Sequence, residues 1–192
     1  MAKYIITGAP GSGKTSLLEA LQQEQYSCYS EVSRQLIIEL TAKGSRCLPW
    51  IDLPCFAQLA LARMIADYRS APKEGPVFFD RGIPDIIAYL SAAGLPVADK
   101  YKRSVRRLPY DNTVFLLPPW EEIYLQDPQR WQTFEEARLI DQHIRDTYRS
   151  AGYRIVLLPR STVAERVECI KDTLLTLQGE KTRQYEEKDQ RI

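Results

Sequence analysis

Short runs of strand length alternate along this chain with longer stretches whose apolar residues recur every three or four positions. The strand candidates are residues 3–7, 27–31, 76–80, 113–117 and 153–158. Between them lie amphipathic segments with the helical period. The first covers residues 14–23. A second, at 33–43, carries Leu36, Ile37 and Leu40 and stops near Gly44. A third, at 53–70, is preceded by Asp52 as a candidate cap and carries Phe56, Leu59, Ala60, Met64 and Ile65. Residues 84–92 read as helix, followed by a basic segment at 99–107. Thr133 and Glu136 have the spacing of a capping box and open a long helix that Gly152 ends. Ser161 or Thr162 caps a last helix expected to stop near Gly179. Residues 179–192 then read as a charged tail, frayed or helical, on a domain formed by residues 1–178.

Strands alternating with helices imply a mainly parallel five-stranded sheet covered on both faces, a three-layer α/β/α domain. In such sheets ligands bind beyond the carboxyl ends of the strands. That rule selects residues 8–15, 31–34, 80–85, 118–130 and 159–161, and the unusual residues of the sequence fall there.

The first of these segments carries the chemistry. Gly8-Ala9-Pro10-Gly11-Ser12-Gly13-Lys14-Thr15 matches GxxxxGK[ST] between an apolar strand and an amphipathic helix, the setting of a P-loop. Glycines let backbone N–H groups converge on an anion, and the helix N-terminus adds its positive dipole end. Lys14 supplies a point charge for the β- and γ-phosphates of ATP or GTP. The Thr15 hydroxyl is the expected Mg²⁺ ligand, and the neighbouring Ser16 is given no role. The run Val77-Phe78-Phe79-Asp80 is an apolar strand ending in a carboxylate, the Walker B arrangement. Asp80 is expected to hold Mg²⁺ through water or to act on an acceptor hydroxyl. Arg81 stands where hydrolytic ATPases commonly place a Glu that polarises water. A cation there cannot deprotonate water but can hold an anionic or polar substrate, which favours transfer to an acceptor.

Residues 1–178 as a whole resemble a family of small AAA-like P-loop ATPases. That family includes the ribosylnicotinamide kinase domain of the bacterial NAD-biosynthesis regulator NadR. The segments carrying the resemblance are TGAPGSGKTSLLEAL, EVSRQLI, FFDRGIPDIIAYL, LLPPWEEIY with DPQRWQTFEEA, and the ending STVAERVECI. The resemblance implies a nucleoside/nucleotide-kinase-like P-loop fold and leaves the acceptor open.

Other residues admit two readings. Glu31 and Arg34 follow the second strand, where kinases of this shape touch the acceptor; they also suit a solvated helix start. Asp85 is placed either to bind an acceptor hydroxyl or to cap the helix after Pro84. Residues 118–133 form a long loop in which Arg130 is the candidate lid arginine, with Arg138 behind it. Trp120 and Trp131 either close over the site or anchor that loop. Pro159 and Arg160, after the fifth strand, are expected at the nucleotide base, with Arg160 stacked on its ring. Lys100, Lys102, Arg103, Arg106 and Arg107 form the basic cluster, read as a solvated face or as a surface for an anionic lipid or protein partner.

Composition narrows the picture little. The 192 residues carry a formal net charge of +1, with 27% charged and 44% hydrophobic residues. No global field favours nucleic acid, and the basic cluster has no aromatic interleaving for base stacking. No apolar run spans a membrane, and the default compartment is the cytoplasm. Cys28, Cys47, Cys55 and Cys169 form no CxxC pair, and His143 has no ligand-like neighbour, so reduced, core-filling thiols are expected. An NKxD guanine motif is absent, and there is little room for the helical lid of a ring motor. The chain therefore reads as a small-molecule kinase acting on a nucleoside-like hydroxyl. The alternative is a nucleotide-operated switch read by a protein or lipid.

Overall fold

The computed structural model describes residues 2–124 and 133–189. Five parallel strands lie in the order β2-β3-β1-β4-β5: β1 Lys3–Gly8, β2 Ser27–Tyr29, β3 Val77–Asp80, β4 Thr113–Leu117 and β5 Arg154–Leu157. The central strands β1, β3 and β4 are buried almost throughout, as strands covered on both faces should be. Alternate side chains feed two cores. Ile5, Val77, Phe79, Val114 and Leu116 face one layer, formed by α2 Val32–Ala42, α3 Leu53–Ser70, α4 Ile83–Ala92, α5 Asp99–Arg107 and α6 Phe134–Ser150. Tyr4, Ile6, Phe78, Phe115 and Leu117 face the other, formed by α1 Lys14–Gln23 and α7 Val163–Asp189.

Local chemistry sets the helix starts. The Asp52 carboxylate accepts from the Cys55 N–H at 2.9 Å and opens α3. Thr133 and Glu136 close a reciprocal capping box on α6, and Thr162 with Glu165 does the same for α7. The expected strand at 27–31 is shorter, ending at Tyr29, because Glu31 already serves as N-cap of α2.

Two expectations are corrected. Helix α7 does not stop near Gly179 but runs on to Asp189. Leu174 and Leu177 anchor it to the core, and the Glu, Lys, Arg and Gln residues that follow are good helix formers, offsetting one exposed glycine. The cysteines are not all thiols: Cys47 and Cys55 form a disulfide, while Cys28 and Cys169 are free. The turn in which Ile51 and Asp52 N–H both donate to the Leu48 carbonyl brings the two Cα atoms to 5.4 Å, within bridging range. A C-x7-C spacing gives no sign of that turn. Among the described residues no helix is long and apolar enough to cross a membrane.

Candidate active site

The carboxyl ends of β1, β3 and β4 meet at the P-loop. Gly8 has φ +145°, and a Cβ there would lie 2.3 Å from the Leu117 carbonyl oxygen, so strand β4 approaches too closely for any side chain. Gly11 and Gly13 also have positive φ, which turns the loop into the N-terminus of α1. The Lys14 ammonium is buried and donates to the Gly8 and Ala9 carbonyls at 3.0 and 2.9 Å. Burial, then the nearby Arg81 guanidinium, pulls its pKa down to about 8. Thr15 is exposed and lines the adjoining cavity.

Beside the loop lies a buried charged cluster. Arg81 holds φ +70°, a conformation few non-glycine residues adopt, and its side chain is pinned on three sides. Its Nε donates to Glu31 at 2.8 Å, and its terminal NH1 donates to the Gly8 carbonyl at 3.0 Å and to Asp85 at 3.3 Å. Its guanidinium also lies 5.1 Å from the centre of the Tyr89 ring. Asp85 accepts further bonds from the Thr7 hydroxyl, the Tyr148 hydroxyl and the Gly82 N–H at 2.5, 2.5 and 2.8 Å. Both of its oxygens are therefore taken. The expected contact of Asp85 with an acceptor hydroxyl gives way to an internal role, in which it fixes Arg81 and the first turn of α4. Glu31 keeps a cavity-facing carboxylate; burial raises its pKa, but Arg81 and Lys14 outweigh that and bring it down to about 2.

Asp80 is different. It is 4% exposed, and its Oδ1 has no hydrogen-bond partner among the described residues. Burial, reinforced by Glu31, pushes its pKa up to about 7. Glu31 and Arg81 line the cavity, while Asp80 does not.

That cavity, of about 810 Å³, begins at the P-loop and reaches the walls formed by α2, α3, α4 and α6. Glu31, Arg34, Arg81 and Asp85, four residues separated in sequence, all line it. Arg130, Asp127 and Trp131 lie outside the described residues. Arg160 is not at the expected place: it lines a second cavity, beside Arg138 and Arg145. Pro159 does not line the main cavity either, and the loop after β5 contributes Ser161 instead. The basic residues of α5 are exposed or half-buried, and none lines the cavity.

The residue that sequence reasoning missed is Arg166, on α7. It is 2% exposed, with Nε donating to the Pro159 carbonyl at 2.9 Å and NH1 to the Ser12 carbonyl at 3.3 Å. Its guanidinium lies 5.1 Å from the centre of a Trp120 ring, and its NH2 is buried without a hydrogen-bond partner among the described residues. Arg166 thus ties the P-loop to the loop after β5. The only signal in the sequence was its inclusion in the segment STVAERVECI. Trp120 takes the cavity side, in contact with this arginine rather than only with the core.

The model of a family described as an AAA domain matches residues 3–166. The chain belongs to that family. Its fold is the nucleotide-kinase P-loop α/β fold. A deoxyadenosine kinase from M. mycoides, with the products dCMP and a flexible dCDP bound, is 14% identical; the match covers 91% of this chain and 99% of that one, with a TM-score of 0.67. The same kinase with bound dATP gives 13% identity, 90% and 98% coverage and a TM-score of 0.64. A thymidylate kinase from Candida albicans is 16% identical, with 92% of each chain covered and a TM-score of 0.65. At these identities the likeness is one of fold. No curated protein matches the sequence.

Proposed function

We propose that this chain is a small-molecule kinase that moves the γ-phosphoryl group of ATP or GTP, with Mg²⁺, to a hydroxyl of a nucleoside-sized acceptor. One observation carries the reading. The cavity does not end at the P-loop but continues past Glu31, Arg34 and Arg81 into a chamber walled by α2, α3, α4 and α6. A switch needs a nucleotide site and a moving loop; only a transferase needs room for a second molecule beside the γ-phosphate. The kinase identities of the similar structures support the same reading, as does Arg81 in place of a water-activating Glu.

The residues fit the groups they would hold. The P-loop N–H groups, the start of α1 and Lys14 suit a triphosphate. Mg²⁺ would be held by the Thr15 hydroxyl and, through water, by Asp80, whose Oδ1 has no partner among the described residues. The ion would offset charge on the phosphates. Glu31 is ionised and faces the cavity, so it is the carboxylate placed to accept a hydrogen bond from the acceptor hydroxyl. Arg81, held by Glu31 and Asp85, presents positive charge between acceptor and phosphate sites. Ser161 and Arg166 would border the nucleotide on the side away from the acceptor.

The test is a screen of a nucleoside and vitamin library with ATP and Mg²⁺, read by mass spectrometry for a product heavier by one phosphoryl group. A product that disappears in Lys14→Ala and Asp80→Asn, with both variants folded, supports the reading. No product from any acceptor, together with ATP-dependent binding of a protein or lipid, would replace it with the switch reading.

A further inference from the structure

The chamber beyond Glu31 and Arg34 has an unusual chemistry for a site that would hold a nucleoside. Helix α3 gives it Leu53, Phe56, Ala57, Ala60 and Met64, without one polar side chain. Ile37 of α2, Ile86 of α4 and Leu139 and Ile140 of α6 continue the same surface. No Asn or Gln lines the cavity anywhere among the described residues. The polar side chains on this side gather around Arg81, which bonds the Gly8 carbonyl of the P-loop: Glu31 and Asp85 are bonded to it, Tyr89 lies against its guanidinium and Arg34 stands near Glu31, while Ser33 precedes Arg34 on α2 and Glu136 belongs to the capping box at the start of α6. Asp85 is already saturated by internal donors.

A nucleobase carries several donors and acceptors along its edge. Buried against α3 they would find no side-chain partner, and each group left unpaired lowers affinity by about tenfold. A hydrocarbon body placed there loses nothing polar and gains the burial of its apolar surface. From this polarity gradient we infer that the acceptor is an amphiphile: a hydroxyl at the Glu31 and Arg81 end, and an apolar aliphatic or aromatic body lying along α3. The inference deepens the kinase reading by naming the acceptor class, but the chamber's preference for apolar bodies holds whether or not transfer occurs.

The experiment measures binding and transfer separately on the full chain with ATP and Mg²⁺. The probes are geraniol and 4-phenylbenzyl alcohol on one side and thymidine and adenosine on the other. Calorimetry is expected to show the two apolar alcohols binding at least about tenfold more tightly than the two nucleosides. Leu53→Gln and Met64→Gln, which put an amide into the α3 wall, should weaken the apolar alcohols by about tenfold or more. Both variants should keep ATP affinity within about twofold, which checks that they fold. Nucleosides that bind as tightly as the alcohols, alcohols that do not bind, or glutamine variants that bind them unchanged each overturn the inference. Transfer to a nucleoside without binding of the alcohols would keep the kinase reading and end this one. Alcohols that bind as expected but never receive a phosphoryl group, while no other acceptor does, would keep the chamber's preference for apolar bodies but end both the kinase reading and the assignment of an acceptor.

Discussion

The end of β3 and the first turn of α4 place two aspartates five residues apart, both more than nine-tenths buried, in opposite situations. Asp85, on α4, receives donors from β1, α6, its own helix start and Arg81. Asp80, at the strand end, has an oxygen with no partner among the described residues. Burial alone therefore says little about what a carboxylate does. A saturated one holds the fold together, whereas one that is kept dry and unpaired raises the energy of the ligand-free site and is relieved by whatever binds there.

The largest effect should come from breaking the saturated member. Asp85→Ala leaves Arg81 with Glu31 as its one remaining carboxylate and strands two hydroxyls in a dry interior, and should cost about 3–5 kcal/mol of stability, read by urea unfolding. A loss below about 1 kcal/mol would mean that Asp85 is not structural. Next comes the orphan. Asp80→Asn should keep the fold yet lower turnover on any accepted substrate by at least about a hundredfold, about 2.7 kcal/mol of transition-state stabilisation. If turnover is unchanged, Asp80 has no part in the reaction.

The third effect sharpens the contrast through pH. The folded pKa of Asp80, about 7, lies above its ordinary 3.8. Between those values the folded protein holds a proton that the unfolded chain has released, so this group's contribution makes stability fall as pH rises through that window. Above about pH 7 the full cost is present. Asp80→Asn should therefore flatten that slope and be more stable than the unaltered chain at pH 8, by about 1–2 kcal/mol. Parallel pH–stability curves for the two would remove the buried, unpaired anion from the account. The smallest effect lies on the far side of the P-loop. Arg166→Gln should weaken ATP binding about fivefold, near 1 kcal/mol, by loosening the tie between Ser12 and Pro159, with unfolding midpoints checking the fold. A wild-type ATP affinity in that variant would make Arg166 a packing residue only.

These two aspartates also mark the limit of what sequence conveys. Both stand in one short segment, FDRGIPD at residues 79–85, and nothing local tells which is saturated. Asp85 is filled by Thr7 and Tyr148, 78 and 63 residues away in the chain. The position of Arg160 fails for a related reason: the cavity it lines is walled by Arg138, Asp141 and Arg145 of α6, which only the fold brings to the loop after β5. The Cys47–Cys55 bridge depends on a turn held by the Leu48 carbonyl, which no spacing rule reports.

By itself the sequence determined the features whose causes are local. Apolar period placed all five strands and most of the helix bounds. Asp52, Thr133 and the pair Ser161 and Thr162 announced their helices by capping chemistry, and residues 8–15 declared a phosphate-binding loop through backbone freedom and charge. It also brought Glu31, Arg34, Arg81 and Asp85 to one edge, because a parallel sheet sends every strand's carboxyl end the same way. Only the tertiary structure decided what those residues have left to offer. It gave Asp85 away to the interior, kept an Asp80 oxygen unpaired, buried Arg166 between two loops and lined the inner chamber with α3. Those outcomes depend on distances between elements far apart in the chain, and hydrogen-bond satisfaction and burial exist only once those distances are set.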